Sequence, residues 1–199
     1  MPSLAKSGAF SSLFVIYGAI AAFLSTLLVT NLLGKEASGE FFQVIALFTI
    51  GTSLSVFGAD TGLVRTVSAQ QASGRYSAIK KLIRIAMVPS LCISIALTLV
   101  ALIYTLPVFS PQLSSDYRTA FVVSVPFLIV AAIMTVSFGV LRGLHRVVTF
   151  TAMQSVLLPT LRIVAVLLVI AMAGDIVSLS LAWAVPVVIV ALVLSLIHI

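Results

Sequence analysis

Apolar residues fall into six runs along the chain, at about residues 10–33, 41–64, 85–106, 119–141, 149–173 and 178–199. Each run is about 20 residues or longer, which as a helix crosses ~30 Å of hydrocarbon. None alternates apolar and polar positions as a barrel strand would. A continuous apolar run in lipid must satisfy its backbone internally, so the pattern predicts six transmembrane helices. The first run is too long for a signal-peptide core and lacks a small-residue cleavage site after it, so it reads as an uncleaved span.

Polar positions inside the runs recur at helical spacing. Thr151, Ser155, Pro159 and Arg162 share a face of the fifth span at steps of four, four and three. Ser90, Ser94, Thr98 and Thr105 do so on the third. Gln43, Ser53 and Asp60 share a face of the second, and Ser124, Thr135 and Gly139 one of the fourth. Gly18, Ala22 and Ser25 form a small-residue stripe on the first. Such faces point away from lipid, toward other helices or water. Gly58–Gly62 and Gly139–Gly143 have the small-xxx-small spacing of close helix crossings.

The links between runs set the orientation. The N-terminal tail and the second and fourth links carry Lys6, Arg65, Arg75, Lys80, Lys81, Arg84, Arg142 and Arg146. The other three links carry Lys35 and Arg118 beside Glu36, Glu40, Asp116 and Asp175. The positive-inside rule therefore places the N-terminus in the cytoplasm, and six spans return the C-terminus there. The stretch from Arg75 to Arg84 puts Tyr76, Ile79 and Ile83 on one helical face beside cations. It reads either as a short helix lying in the cytoplasmic interface or as a charged link that only sets topology. The last residues, Leu194 to Ile199, lack a polar flank; truncation is expected, whether residues 194–199 are native stays open, and His198 carries no functional weight.

Composition agrees with the pattern. Of 199 residues, 61% are hydrophobic and 8% charged, too few charges to solvate a soluble domain of this size. The net charge of +6 sits in the links, where it meets anionic lipids, and does not point to nucleic acid. Cys92, the one cysteine, lies inside an apolar run, so an internal disulfide is excluded and a packing role is expected.

One residue departs from what packing needs. Arg162 stands inside the fifth run with no carboxylate in that run to neutralise it. A charge at that depth costs roughly 2.5–3.5 kcal/mol on the lenient insertion scale, and is tolerated facing the bundle interior or a wet cavity. Pro159, three residues earlier, cannot donate a backbone hydrogen bond and loosens the helix there. Broken helices that line a cavity recur in transporters. Arg162 reads as the contact for an anionic group, or as a structural cation bonded to freed carbonyls. Asp60, about one turn from the cytoplasmic edge, is solvated or pairs with a nearby arginine such as Arg65. Histidines and carboxylates are scattered without metal-ligand spacing, nucleophile elbow or phosphate loop. No catalytic residue, metal or cofactor is expected, and an enzyme is not expected.

The segment Leu32-Leu33-Gly34-Lys35-Glu36-Ala37-Ser38-Gly39-Glu40-Phe41, followed by Phe57-Gly58-Ala59-Asp60-Thr61-Gly62-Leu63-Val64-Arg65, resembles the N-terminal region of polysaccharide flippases. There the first span ends in a leucine-glycine, acidic, glycine, aromatic turn, and the second in a phenylalanine- or leucine-glycine, leucine, arginine pattern. Leu141-Arg142-Gly143-Leu144-His145-Arg146 is similar to the family's leucine-arginine-glycine link. The resemblance is to Wzx-type O-antigen and exopolysaccharide flippases of the multidrug/oligosaccharidyl-lipid/polysaccharide exporter superfamily.

That resemblance implies twelve or more helices in two six-helix lobes around a central cavity, residues 1–199 supplying the N-terminal lobe. It implies a multi-pass protein of the plasma (inner) membrane that turns undecaprenyl-pyrophosphate-linked oligosaccharide from the cytoplasmic to the periplasmic leaflet, for polysaccharide or lipopolysaccharide biosynthesis. The implied partners are the lipid-linked oligosaccharide, anionic lipids, the C-terminal lobe of the same protein, polysaccharide polymerase and glycosyltransferases. Arg162 is then the expected pyrophosphate contact and Arg65 the site of first capture. Thr151, Ser155, Pro159, Asp60 and Ser53 are the expected cavity lining. Two other readings stay open: a cation-coupled multidrug exporter of the same superfamily, and a non-transporting membrane scaffold.

Overall fold

The computed structural model of the chain describes residues 4–172 and 174–197, with the side chains of 4–7, 32, 33, 36 and 197 left out. Expectations resting on His198, on the run ends at Ala173 and Ile199, and on the side chains of Lys6, Leu32, Leu33 and Glu36 lie outside the described residues. All elements among those described are helices.

Helix α1 (Leu4–Val56) is two arms joined at Gly34, whose φ of 75° and ψ of 175° are not helical. Glycine reaches that region without the Cβ penalty other residues meet. Val29 and Phe41, twelve residues apart, would sit about 18 Å apart on a straight helix. They instead belong to one core cluster and line one cavity, so the chain doubles back at Gly34. The Ser38 hydroxyl donates to the Gly34 carbonyl and closes the corner.

The second run does not continue to residue 64 as one helix. Phe57 (φ 45°) and Gly58 (φ 77°) are both left-handed, ending the arm at Val56 and starting α2 (Ala59–Ala72). A polar sequence follows the break, and α2 buries only Leu63 and Val67. After a turn at Gly74 (φ 69°), α3 (Tyr76–Tyr104) takes up the basic stretch as its own first turns. Of the two readings of that stretch, the separate interfacial helix does not form among the described residues. Ile79 of its predicted apolar face is buried, whereas Tyr76 is exposed.

The fourth span is also in two pieces, α4 (Ser115–Ser124) and α5 (Phe127–Gly143), bent by 41°. Pro126 sits at the bend, where it lacks an amide hydrogen and its ring clashes with the preceding turn. The fifth span is α6 (Val147–Ala152), a π-helical turn (Met153–Leu157) and α7 (Leu158–Ala171); α8 (Ile176–Ile197) is the sixth. Five of these stretches are long and apolar enough to cross a membrane, six with the bent pair taken as one span. The fold is an all-α membrane bundle.

Helix α5 is the centre of the core. Leu128, Ala131, Met134, Phe138 and Leu141 pack on Phe48 of α1, Leu158 of α7 and Val187, Val190 and Leu194 of α8. Its opposite face meets α2 through glycines. A Cβ at Gly139 would lie 2.6 Å from the Asp60 carbonyl oxygen, and one at Gly143 2.8 Å from Val67 Cβ. The Ser68 hydroxyl donates to the Gly143 carbonyl at 2.9 Å across this crossing. The small-xxx-small pair at 139 and 143 is thus a real contact, whereas Gly58 and Gly62 face open space. On α3, Ser90, Ser94, Thr98 and Thr105 are all buried, as the stripe predicted. Three of the four return a hydroxyl bond to their own helix, so this face serves packing. Cys92 lies on the other, exposed face of α3.

Candidate functional site

Arg142 and Arg162 both lie within the bundle, and their surroundings differ. Arg142, on the last turn of α5, is ion-paired to Asp60 of α2 through Nη2 at 2.7 Å from Oδ2. Its guanidinium also lies 5.0 Å from the centre of the Phe150 ring. This is the partner of Asp60; Arg65, anticipated from sequence as one candidate, is instead exposed on α2. The pair fits the glycine crossing, because removing the Cβ at Gly139 lets α2 bring Asp60 against α5. Asp60 and Arg142 share a small pocket with Thr135, Phe150 and Gln154.

Arg162 has no carboxylate beside it among the described residues. It lines an open cavity of about 260 Å³ between both arms of α1, α7 and α8, with Ala22, Ser25, Thr26, Phe41, Phe42, Pro159 and Trp183 among the walls. Its Nε donates to the main-chain carbonyl of Trp183 at 3.3 Å, and its Cζ stands 3.7 Å from the centre of the Trp183 ring. Pro186, three residues further along α8, has no amide hydrogen to return to Ala182, which loosens the turn carrying Trp183. Phe48 meets the indole edge-on, with ring centres 5.2 Å apart, and holds its orientation.

The depth of the site follows from helix rise. Arg162 is nine residues from Ala171, about 13 Å along α7 at 1.5 Å per residue. The cavity therefore lies in the half of the bundle nearer the Gly34 corner and the α7–α8 turn.

How α7 comes to face this cavity depends on the π turn. Pro159 cannot donate to the Ser155 carbonyl four residues back. That carbonyl meets the first arm of α1 instead, where a Cβ on Gly18 would come within 2.7 Å of it. Tyr17 and Thr160 add a hydroxyl–hydroxyl bond of 2.8 Å beside the contact. A π turn advances less than 100° per residue, so residues beyond it rotate relative to those before it.

The predicted face from 151 to 162 is split by that rotation. Pro159 and Arg162 share the cavity. Thr151 is buried before the π turn, with its hydroxyl on the Val147 carbonyl. Ser155 packs on Gly18, Ser53 is exposed with its hydroxyl on Thr49, and Asp60 lies with Arg142. These four do not line the Arg162 cavity, and Arg65 is not brought near it. Sequence reasoning missed Trp183, Phe41 and Phe42. The single tryptophan of the chain, on the span next to the lone arginine, was the available signal.

A family described as polysaccharide biosynthesis protein matches residues 4–199. The chain belongs to this family. No curated protein and no solved structure matches it. Membership in the polysaccharide biosynthesis protein family, together with the apolar helix bundle, supports a general role in transport rather than catalysis, within a multi-pass membrane protein.

Proposed function

We propose that this polysaccharide biosynthesis protein is the N-terminal lobe of a flippase for undecaprenyl-pyrophosphate-linked oligosaccharide, with Arg162 as the station for the pyrophosphate. The observation that carries the reading is Arg162 itself: a cation without a carboxylate neighbour among the described residues, lining a cavity inside an apolar bundle. Such a group is costly to keep in hydrocarbon unless it faces something polar. A lipid pyrophosphate is the complementary problem, since its tail is at home in lipid while its head group cannot cross unaided.

The desolvation of both charges offsets much of their attraction, yet a low effective dielectric strengthens what remains relative to water. Alternating exposure of the cavity to the two sides then carries the head group across. In the orientation favoured by the basic links, the cavity lies in the outer half of the membrane, and Arg65 stands near the cytoplasmic mouth as a first contact. A second lobe would close the transport pathway from the facing side. The alternative of cation-coupled drug export loses support, because the one carboxylate near the membrane interior, Asp60, is engaged by Arg142.

The test is Arg162→Ala and Arg162→Glu in the complete transporter. Polymer export is expected to fall by at least tenfold while membrane insertion and abundance stay normal. Normal export by Arg162→Glu at normal abundance would remove the site from the mechanism.

A further inference from the structure

Arginine has five N–H donors, and the way Arg162 uses them is uneven. Nε–H is committed to the Trp183 carbonyl, and one flat face of the guanidinium is covered by the Trp183 indole. The two terminal nitrogens, with four N–H donors, have no acceptor among the described residues, and the side chain borders the cavity. Free arginine is a long, mobile side chain; fixing it before a ligand arrives removes an ordering cost from binding. A guanidinium held at Nε and on one face can only turn its Nη1/Nη2 edge outward. That edge matches two oxygens of a phosphoryl group, a geometry lysine cannot supply.

We propose that Trp183 is the positioning residue of the anion station: one residue, through its carbonyl and its ring, holds Arg162 as a preset two-pronged ligand for a phosphoryl group. This rests on the reading of Arg162 given above and adds what makes the site select phosphoryl chemistry over a generic anion. It also ties the sixth span to the fifth at the site, so a shift of α8 against α7 changes the presentation of the fork. Phe48, edge-on to the indole, extends the support to the second arm of α1.

Inorganic pyrophosphate is the probe, titrated by calorimetry into the 199-residue chain in phosphatidylcholine nanodiscs. The proposal expects saturable binding to the wild type. Trp183→Leu keeps the backbone carbonyl but removes the ring, and is expected to bind at least tenfold more weakly; Trp183→Phe restores most of the affinity because a ring remains. Arg162→Lys is expected to be no better than Trp183→Leu. Because Trp183 is the one tryptophan of the chain, its emission is expected to change with pyrophosphate in the wild type and not in Arg162→Leu. Matched helical circular dichroism and elution profiles show that the variants are folded. If folded Trp183→Leu binds as tightly as wild type, Trp183 does not position the arginine, and the anion station survives alone. If the folded wild type shows neither heat nor emission change, the station itself is wrong and this inference falls with it.

Discussion

At the scale of single residues, the bundle distinguishes glycines that permit contact from glycines that merely occur. Gly139 and Gly62 stand on α5 and α2, yet a Cβ at Gly139 would lie 2.6 and 2.7 Å from backbone atoms of Asp60, while one at Gly62 would meet nothing within 4 Å. Backbone cannot swing aside as a side chain can, so Gly139→Ala must part the two helices and strain the Asp60–Arg142 pair. A loss of about 1–3 kcal/mol is expected, the usual cost of overpacking. Gly62→Ala is expected to be neutral or to gain up to about 1 kcal/mol from helix propensity. Unfolding of the two variants in detergent micelles, compared with wild type, checks the contrast. Equal behaviour of the two would mean that the crossing does not govern stability.

At the scale of elements, helix ends outside the membrane core carry their own chemistry. Asp175 precedes α8 and caps it: its Oδ1 accepts from the Ser178 amide at 3.0 Å and from the Ser178 hydroxyl at 2.6 Å. The Ser178 hydroxyl bond, and then the Ser178 amide bond, hold the Asp175 carboxyl below its ordinary range. A carboxylate shifted down in the folded state adds stability that is complete above its unfolded pKa of about 3.9 and is lost as pH falls through the lower folded value. Asp175→Asn is therefore expected to melt below wild type near neutral pH, with the gap closing in acid below about pH 4. Melting curves of both proteins from pH 7 to pH 3 test this, and a gap that stays constant would exclude the carboxylate.

Element boundaries also show what could be read beforehand. The spans were legible because apolar runs of that length have one solution in lipid, and Gly139–Gly143 and the α3 hydroxyl stripe were legible from spacing. The breaks at Phe57–Gly58 and Pro126 fall inside apolar runs, where hydrophobicity alone has no signal; only Gly58 and Pro126 marked them. Arg162 and Pro159 were legible as a pair, whereas Thr151 and Ser155 were assigned to their face by counting α-helical steps through a turn that is not α-helical. Trp183 and the α1 walls come from other helices, which no periodicity within the fifth span reports.

At the scale of the whole molecule, the links group by end. Ile79, Val67 and Val140 share one cluster at the end that holds the α2–α3 turn and Arg146, while Glu40 meets Ser114 at 2.9 Å at the other. The basic links thus share an end, and the positive-inside rule predicts that end to be cytoplasmic. In a Cys92→Ser background, a cysteine at Ser73 is expected to react with an impermeant maleimide only from the cytoplasmic side, and one at Ser115 only from outside. The reverse labelling would invert the protein and move the arginine cavity to the inner half.

The π turn at 153–157 carries a further implication for how such a span can change. It splices two helical registers, so the segment before it can be fitted to the α1 contact and the segment after it to the cavity, each without disturbing the other. The arrangement depends on chain length more than on side-chain identity. Loss of one residue between 153 and 157 would let the hydrogen bonds relax to the regular four-residue pattern, and because the π turn takes up one extra residue, the segments on either side would keep nearly the same faces. Arg162 would still face the cavity. Loss of one residue from the regular helix between 158 and 161 would instead swing it by about 100° toward hydrocarbon, so in this span the harm of a deletion depends on which side of the splice it falls.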